Sequence, residues 1–319
     1  LELFNLSRKL MTSSSIKFIL GEKIHELHNP DPNETILNYI RLKLKKTGTK
    51  EGCAEGGCGS CTVVLGELKK NNIIYKAINA CIAFTPSLEG KLLILVEDLV
   101  LKGELHPVQK AMVDFHGSQC GFCTPGFVMS LFAMYKNYSS YNYNVIKDSI
   151  QGNLCRCTGY RPIVDAAKSL IKKRKSDHFS RDKKNIVTLL KKIKQRSIAI
   201  NVNNKKYFAP KTINELKKII KQNPNSKLLS GGTDVSLIVT KERKDLNSII
   251  YMNSIDELNY IKKDKNYIEV GASTPLISFE SFIKKYLPDF AQILKRYGSV
   301  QIRNVCTIAG NIATASPIG

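Results

Sequence analysis

The sequence predicts an α+β protein of several domains, and three observations support this fold class. Residues 16–97 are typical of strands around one helix, residues 98–174 of a helical unit, and residues 196–319 of a second mixture of strands and helices. The length of 319 residues is enough for two or three ordinary hydrophobic cores. The predicted organisation is an N-terminal extension (1–15), two small domains (16–97 and 98–174), a basic linker (175–195) and a third domain (196–319).

The first domain begins with a predicted hairpin. Residues 16–28 alternate around a Gly-Glu turn. Residues 29–48 predict a capped amphipathic helix, because apolar side chains recur at helical spacing from Ile36 to Leu44 and Gly48 marks its end. A glycine-rich loop with three cysteines follows. Strand-like segments then complete a small sheet at 62–68, 73–81 and 91–99.

The second domain is predicted to be helical. Pro107, Pro125 and Pro162 each fall near the start of a segment with helical periodicity, where a helix tolerates proline. The four segments are 106–117, 124–138, 145–153 and 161–173.

The composition excludes several classes of protein. The hydrophobic content of 43% and charged content of 24% are typical of a soluble globular chain and not of a disordered one. No run approaches the roughly 18 apolar residues of a membrane span, and the first twenty residues lack the cleavage site of a signal peptide. We therefore expect no membrane association and a cytoplasmic location. There, nine cysteines favour metal binding or catalysis over structural disulfides.

The formal net charge of +22 is concentrated in one segment. Residues 168–206 hold 14 Lys or Arg against Asp177 and Asp182, which is more than half of the excess. This segment lacks a recognisable nucleic-acid-binding fold and a stacking array of aromatic side chains. We therefore expect a solvated linker and no nucleic-acid partner, although a basic surface could also face an acidic protein subunit.

The first four cysteines have a diagnostic spacing. Cys53, Cys58 and Cys61 form C-x4-C-x2-C, and Cys81 follows after 19 intervening residues. Plant-type ferredoxins use this spacing to bind a 2Fe–2S cluster through thiolates. Glycines in the loop let the backbone wrap closely and point N–H groups at the sulfurs. Zinc sites more often use paired C-x2-C motifs, so the spacing favours the cluster.

A second set of four cysteines is less specific. Cys120 and Cys123 form C-x2-C, Cys155 and Cys157 form C-x-C, and each motif precedes a predicted helix. Two helix N-termini facing each other would direct the positive ends of their dipoles at an anionic cluster. Four thiolates could also hold zinc, so spacing alone is compatible with either a 2Fe–2S cluster or a zinc ion at this site.

Three stretches together resemble the molybdenum hydroxylase family, the group that contains xanthine dehydrogenase and aldehyde oxidase. They are GCGSCTV, QCGFCTPG and GNLCRCTGYRPI, and the similarity covers about residues 15–170. The resemblance implies a β-grasp, ferredoxin-like first domain and a four-helix second domain, each with a 2Fe–2S cluster. It also implies that Gln119 and Cys157 reach toward the molybdopterin of another domain or subunit.

Two loops rich in small residues are candidate ligand sites in the third domain. LLSGGTDVSL (228–237) places a glycine pair after a predicted strand, and residues 298–319 form a second loop of Ser, Thr and Asn. Such loops let backbone N–H groups approach a pyrophosphate. Neither is a Rossmann fingerprint, because G-x-G-x-x-G is absent and no βαβ unit is predicted around them.

The third domain is similar to the flavin-binding domain of the same family, over residues 207–235, 268–276 and 299–317. The resemblance implies an α+β domain of the PCMH or vanillyl-alcohol-oxidase type, with Tyr297 near the isoalloxazine ring. Cys306 and Ala309 replace common glycines, and we expect both to be tolerated, with Cys306 as a packing residue. The family continues beyond Gly319, so the flavin domain is expected to be C-terminally truncated. The implied FAD contacts are Leu229, Ser230, Gly231, Gly232, Thr233, Asp234, Thr307, Gly310 and Asn311.

The resemblance implies an oxidoreductase subunit that transfers electrons and does not itself hydroxylate a substrate. As in two-subunit bacterial xanthine dehydrogenases, a large molybdopterin-binding subunit would oxidise a purine. Electrons would pass through the second cluster, the first cluster and FAD to NAD, in a heterotetramer of two small and two large subunits. No arrangement of general acid, base or nucleophile is found, so no catalytic residue is predicted.

Two alternative functions remain open. Another member of the family would oxidise aldehydes or N-heterocycles, since the iron–sulfur motifs are common to those enzymes. A protein of a different class would hold zinc in both cysteine sites and bind nucleic acid through the basic linker.

Overall fold

The computed structural model describes residues 13–172, 176–193 and 196–315. Most of the predicted N-terminal extension therefore lies outside the described residues, as do parts of the predicted linker and the last four residues. Within the described ranges, no helix combines the length and the apolar character needed to cross a bilayer.

The first domain is built on a five-stranded sheet of order β2-β1-β5-β3-β4. β1 and β2 form the predicted hairpin, β1 and β5 are parallel, and the other neighbours are antiparallel. Both faces of the sheet are buried, since Val63 and Leu65 pack into one core and Val64 into another. The strands are β1 (Ser15–Leu20), β2 (Lys23–His28), β3 (Thr62–Lys69), β4 (Asn72–Asn79) and β5 (Leu92–Ile94).

The helix expected over residues 29–48 is shorter in the structure. α1 covers Ile36–Asn38 and continues as a wider helical turn over Tyr39–Lys43. The chain leaves this turn at Lys45, which has a φ of +58°, a left-handed conformation that ends a helix. Gly48 lies beyond the end, and its N–H donates to the Glu97 carboxylate at 2.8 Å.

The second domain contains the four predicted helices. α3 is the central one and buries most of its side chains, whereas the flanking helices bury one face. Prolines stand in the first turns of α2, α3 and α5, as the sequence predicts. The helices are α2 (Pro107–Asp114), α3 (Thr124–Asn137), α4 (Tyr143–Ile150) and α5 (Arg161–Lys172).

The expectation of a solvated linker is wrong for residues 176–193. They form α6 (His178–Arg181) and α7 (Lys183–Lys192), and the apolar side chains Phe179, Ile186 and Leu190 are buried in the core of the second domain. The reason is that this lysine-rich segment is amphipathic: its apolar side chains share one buried face, and its charged side chains lie on the exposed face.

A buried carboxylate holds this segment to the second domain. Asp177 accepts hydrogen bonds from His106 Nε2 at 3.1 Å and Lys136 Nζ at 2.7 Å. Burial disfavours the charge of Asp177, but these two donors keep its pKa well below the usual range.

The third domain contains a four-stranded sheet of order β6-β7-β9-β8. β8 (Lys227–Leu229) runs parallel to its neighbour β9 (Ser248–Tyr251), and a short helix, α9 (Leu237–Thr240), lies between them in the chain. The expectation of no βαβ unit around the glycine pair is therefore wrong, because the loop 230–236 belongs to this crossover. The remaining elements are β6 (Ile198–Val202), β7 (Lys205–Ala209), α8 (Ile213–Gln222), β10 (Ile261–Lys263), β11 (Ile268–Val270), α10 (Leu276–Ile283), α11 (Pro288–Arg296), α12 (Val300–Arg303) and α13 (Ile308–Ala313).

Buried amides join the three domains. The Gln301 side chain is fully buried, and its Nε2 lies 3.0 Å from Ser130 Oγ and 3.1 Å from Asn153 Oδ1, both in the second domain. Asn304 donates to the Ala77 carbonyl of the first domain at 2.8 Å. Asn33 exchanges two hydrogen bonds with the backbone of residue 246, at 2.9 and 3.0 Å. Since buried polar groups are stable only when paired, these contacts fix the relative positions of the domains.

Replacement of Asn33 by alanine should lower the free energy of unfolding by about 2 kcal/mol, because two buried backbone groups lose their partners. Urea denaturation followed by circular dichroism measures this change. Asn201, whose side chain is exposed on β6, is the matched control, and Asn201→Ala should have little effect. Equal stability of the two variants would contradict the structural role of Asn33.

Candidate functional site

The first four cysteines lie together in the structure. The Sγ atoms of Cys61 and Cys81 are 3.3 Å apart, and the Cys53 thiolate accepts a hydrogen bond from Cys81. The Cys58 N–H donates to Cys53 Sγ at 3.3 Å. Cys61 and Cys81 are buried, whereas Cys53 and Cys58 are partly exposed. The loop therefore brings four thiols to one site and directs a backbone donor at a sulfur.

Hydrogen bonding separates the acidities of these thiols. Donation from Cys81, together with the backbone N–H groups of Glu55 and Cys58, lowers the pKa of Cys53 to about 4 against the effect of burial. The same donation, together with burial, raises the pKa of Cys81. A thiolate stabilised in this way is the form that binds soft metal ions.

The second four cysteines also meet, as two pairs. Cys120 lies beside Cys157, and Cys123 lies beside Cys155. Cys123 immediately precedes α3, and Cys157 comes four residues before α5. The two helix N-termini therefore flank the site, as the sequence predicts, and favour negative charge there.

Thr158 is a polar neighbour of a sulfur in the second site. Its Oγ1 lies 3.1 Å from Cys155 Sγ, and its N–H donates to the same sulfur at 3.5 Å. Burial disfavours the Cys155 thiolate, but these two hydrogen bonds lower the pKa of the thiol overall.

The arrangement of the sulfurs fits 2Fe–2S clusters. In the first site Cys81 contacts both Cys53 and Cys61, and in the second Cys120 lies beside Cys157 and Cys123 beside Cys155. A 2Fe–2S cluster is held by four thiolates shared between two irons. Backbone N–H groups directed at Cys53 and Cys155 match the hydrogen bonds that such sulfurs accept.

The two cysteine sites are joined by backbone. The Leu154 N–H, one residue before Cys155, donates to the Cys58 carbonyl at 2.9 Å. The Asn153 side chain donates to the Gly59 carbonyl at 3.0 Å. A Cβ on Gly59 would lie 2.1 Å from the carbonyl oxygen of Gly152, so the two chains touch where only glycine fits. Cys58 of the first site and Cys155 of the second are therefore connected by one hydrogen bond and one peptide unit.

The two small-residue loops of the third domain face each other across a cavity of about 700 Å³. Their backbones touch at its base, since a Cβ on Gly231 would lie 2.1 Å from the carbonyl oxygen of Val305. Gly232 has a φ of +74°, which favours glycine. The side chain of Thr307 accepts a hydrogen bond from the Gly310 N–H at 3.1 Å and so begins α13.

Nearly all residues assigned to FAD by the resemblance line this cavity. Leu229 does not, because it is the last residue of β8 and its side chain is buried in the core, with 3% exposure. Its neighbour Leu228 lines the cavity instead. Asn311 donates to the Tyr297 hydroxyl at 2.8 Å and fixes that ring. The predicted residues in the lining are Ser230, Gly231, Gly232, Thr233, Asp234, Tyr297, Thr307, Gly310 and Asn311.

Cys306 and Ala309, which replace common glycines of the family, also line the cavity. Cys306 has 4% exposure, and burial raises its pKa to about 12, which is consistent with the expected packing role. Ala309 lies in the first turn of α13. A cavity of this size remains with both side chains in place.

The other two domains also contribute residues to the cavity, and no sequence pattern indicates them. Gly56 and Gly57, from the first cysteine loop, form one part of the lining, and Gln151 and Gly152 form another. Their glycines were attributed to the cysteine sites alone. The contacts join residues more than 140 positions apart, and no local pattern signals them.

Family comparisons match all three domains. Residues 20–85 match the "2Fe-2S iron-sulfur cluster binding domain", and residues 95–168 match the "[2Fe-2S] binding domain". Residues 200–319 match the "FAD binding domain in molybdopterin dehydrogenase".

Curated relatives match nearly the whole chain. Xanthine dehydrogenase of Emericella nidulans is 34% identical, over 95% of this chain and 26% of the relative. Xanthine dehydrogenase/oxidase of Rattus norvegicus is 32% identical, over 97% of this chain and 27% of the relative. This chain thus spans about a quarter of the length of these relatives. Among solved structures, quinoline 2-oxidoreductase from Pseudomonas putida 86 is 25% identical, with a TM-score of 0.42 over 51% of this chain and 98% of that one.

Two cysteine sites and a cavity between small-residue loops define the class of protein as an iron–sulfur flavoprotein. The chain carries the iron–sulfur and FAD-binding domains of molybdopterin dehydrogenases, in one polypeptide. It belongs to the molybdenum hydroxylase family, which confirms the resemblance drawn from the cysteine motifs.

Replacement of Gly231 by alanine should weaken FAD binding about tenfold or more, because the added methyl group must push the two loops apart. Fluorescence titration of flavin-free protein measures the affinity. Gly103→Ala is the control, since its Cβ would meet nothing within 4 Å and the strain of its φ of +82° lies outside the lining of the cavity. Unchanged affinity in the Gly231 variant would contradict the loop contact.

Replacement of Thr158 by valine should lower the reduction potential of the second cluster by on the order of 40 mV, because the reduced cluster loses a hydrogen bond worth about 1 kcal/mol. A redox titration followed by EPR measures the potential. Thr158→Ser keeps the hydroxyl and should retain the potential, and the first cluster is an internal control. A shift of both clusters, or of neither, would contradict this role of Thr158.

Proposed function

We propose that this chain is the electron-transfer part of a molybdenum-containing xanthine dehydrogenase. It would take electrons from a molybdopterin-binding partner, pass them through the second and the first 2Fe–2S cluster to FAD, and deliver them to NAD. When bound, the clusters would supply one-electron steps and the flavin would combine two electrons for hydride transfer. Cys120, Cys123, Cys155 and Cys157 would hold the second cluster, and Cys53, Cys58, Cys61 and Cys81 the first.

The observation that carries this proposal is the wall shared by the first cysteine loop and the flavin cavity. Gly56 and Gly57 lie between Cys53 and Cys58 in the chain and line the cavity directly. A Cβ on Gly56 would lie 2.6 Å from Ile82 and 3.2 Å from Ile302, so the loop backbone packs tightly against its neighbours. A flavin in this cavity would be separated from the first cluster only by that backbone.

The contact between the cysteine sites supports the order of the two clusters. The Leu154–Cys58 hydrogen bond joins the sites, and Cys53, Cys58 and the flavin cavity share one loop. At the second site, Cys120 and Cys157 are exposed. Gln119 is exposed beside Cys120 and is suited to the pterin contact that we propose for Gln119 and Cys157.

The residues around the sites would hold and orient the cofactors. Backbone N–H groups of residues 58 and 158 would donate to sulfur ligands, and the glycine pair 231–232 would let the backbone approach a pyrophosphate. Tyr297, held by Asn311, would contact the flavin ring. No hydrolytic or proton-transfer residue is needed for this role.

The purine substrate is proposed from the names of the relatives, which are xanthine dehydrogenases or xanthine dehydrogenase/oxidases. The NAD acceptor is proposed from the family resemblance alone. We further propose a β-grasp fold for the first domain, supported by the sheet order β2-β1-β5-β3-β4 with parallel β1 and β5. A large molybdopterin-binding subunit in a heterotetramer of two small and two large subunits, in the cytoplasm, completes the proposal.

Purified protein should show broad visible absorption bands that dithionite bleaches, with iron and sulfide sufficient for two 2Fe–2S clusters per chain. Cys120→Ser combined with Cys157→Ser should remove one cluster and leave the other. A colourless protein with stoichiometric zinc would contradict the proposal. Addition of the partner subunit, a purine and NAD then tests the reaction by the appearance of NADH.

A further inference from the structure

The guanidinium of Arg303 is fully buried at the meeting point of the second and third domains. Its side chain has 0% exposure, although the residue lies only six positions after Tyr297 in the wall of the flavin cavity. A buried arginine is stable only when its charge is neutralised and its donors are paired.

One side of the guanidinium holds the chain at the cavity. Nη1 donates to three backbone carbonyls, those of Lys295 at 2.9 Å, Tyr297 at 3.2 Å and Gly298 at 3.3 Å. These carbonyls bend the chain from the end of α11 into the segment that carries the Tyr297 ring. Tyr297 and Gly298 both line the cavity. Arg303 itself does not line it, so any effect on a flavin acts through these residues.

The other side of the guanidinium reaches the second domain. Nη2 donates to Asp148 Oδ1 of α4 at 2.7 Å, and Nε lies 3.2 Å from Glu280 Oε2 of α10. The Nε–Glu280 pair lacks hydrogen-bond geometry, whereas the Asp148 contact is a short, charge-assisted hydrogen bond. Asp148 is thus the better partner for the buried charge.

Asp148 also lies just before residues 151–155, which contact the flavin cavity and both cysteine sites. Gln151 and Gly152 line the flavin cavity, the Leu154 N–H binds the Cys58 carbonyl, and Cys155 is a ligand of the second site. A Cβ on Gly152 would lie 2.3 Å from Gln301 Oε1, so this segment packs directly on α12. The segment is therefore packed against the helix that carries Arg303.

We propose that Arg303 is a positioning residue for the flavin, which sets the Tyr297 wall of the cavity and depends on Asp148 of the iron–sulfur domain for its charge balance. Flavin affinity is thereby coupled to the packing of the second domain against the third. This inference rests on the proposed binding of FAD in the cavity.

Four variants of the flavin-free full chain test the proposal by fluorescence titration with FAD. Arg303→Lys keeps the charge but lacks the planar set of donors that spans three carbonyls and a carboxylate. Asp148→Asn removes the balancing charge from the other domain, and Asp148→Glu restores it. Asp165→Asn is the matched control, because Asp165 forms the exposed pair with Arg161 in the same domain.

Arg303→Lys and Asp148→Asn should weaken FAD binding about tenfold or more, and the visible circular dichroism of the bound flavin should change as Tyr297 shifts. Asp148→Glu and Asp165→Asn should remain close to the unmodified protein. The visible spectrum of the clusters reports that each variant is folded. Since Asp148 lies outside the third domain, its two variants decide the result even if Arg303→Lys does not fold.

Unchanged FAD affinity in folded Asp148→Asn protein, or equal loss in the Asp148→Asn and Asp148→Glu variants, would overturn this inference and leave the proposed function intact. Failure of the unmodified protein to bind FAD at all would overturn the proposed function as well.

Discussion

Direct contact between glycine backbones is the constraint on which the rest of the structure depends. A Cβ on Gly126 would lie 2.2 Å from the carbonyl oxygen of Gly59, and one on Gly59 would lie 2.1 Å from that of Gly152. Neither Gly59 nor Gly126 can carry a side chain here, so the first cysteine loop, the start of α3 and the segment before Cys155 are held in direct backbone contact. The buried amides of Asn153 and Gln301 hydrogen-bond across the same junction and fix its register.

This junction determines what the sites can do together. Electron carriers function as a chain only when they are held close and rigidly, and sites supported by packed elements keep their geometry better than sites on free loops. Here the first cysteine loop touches the second site through Leu154 and forms part of the flavin cavity through Gly56 and Gly57. The third domain is oriented by Arg303 and Gln301, two fully buried polar residues of α12. Function in this chain is thus a property of the domain contacts as much as of the ligands.

The sequence predicted the local features and missed the long-range ones. Cysteine spacing picked out the two groups of four cysteines that the structure brings together, because metal ligands follow short, fixed intervals. The two small-residue loops that line the cavity follow from their composition and the family resemblance. Gln151 and Gly152 were missed because their contacts with the third domain arise only on folding. The prediction of a solvated linker is wrong because Phe179, Ile186 and Leu190, spaced among many lysines, pack into the core. The prediction that Leu229 contacts FAD is not supported, because Leu229 ends a strand and its side chain is buried in the core.

The most direct test of this account is the EPR spectrum of the fully reduced protein at low temperature. If the two sites are joined by one hydrogen bond and a peptide unit, each reduced cluster should broaden or split the signal of the other. This interaction should vanish when Cys120→Ser and Cys157→Ser remove the second cluster. A spectrum equal to the sum of two independent clusters would contradict the contact between the sites and the electron path built on it.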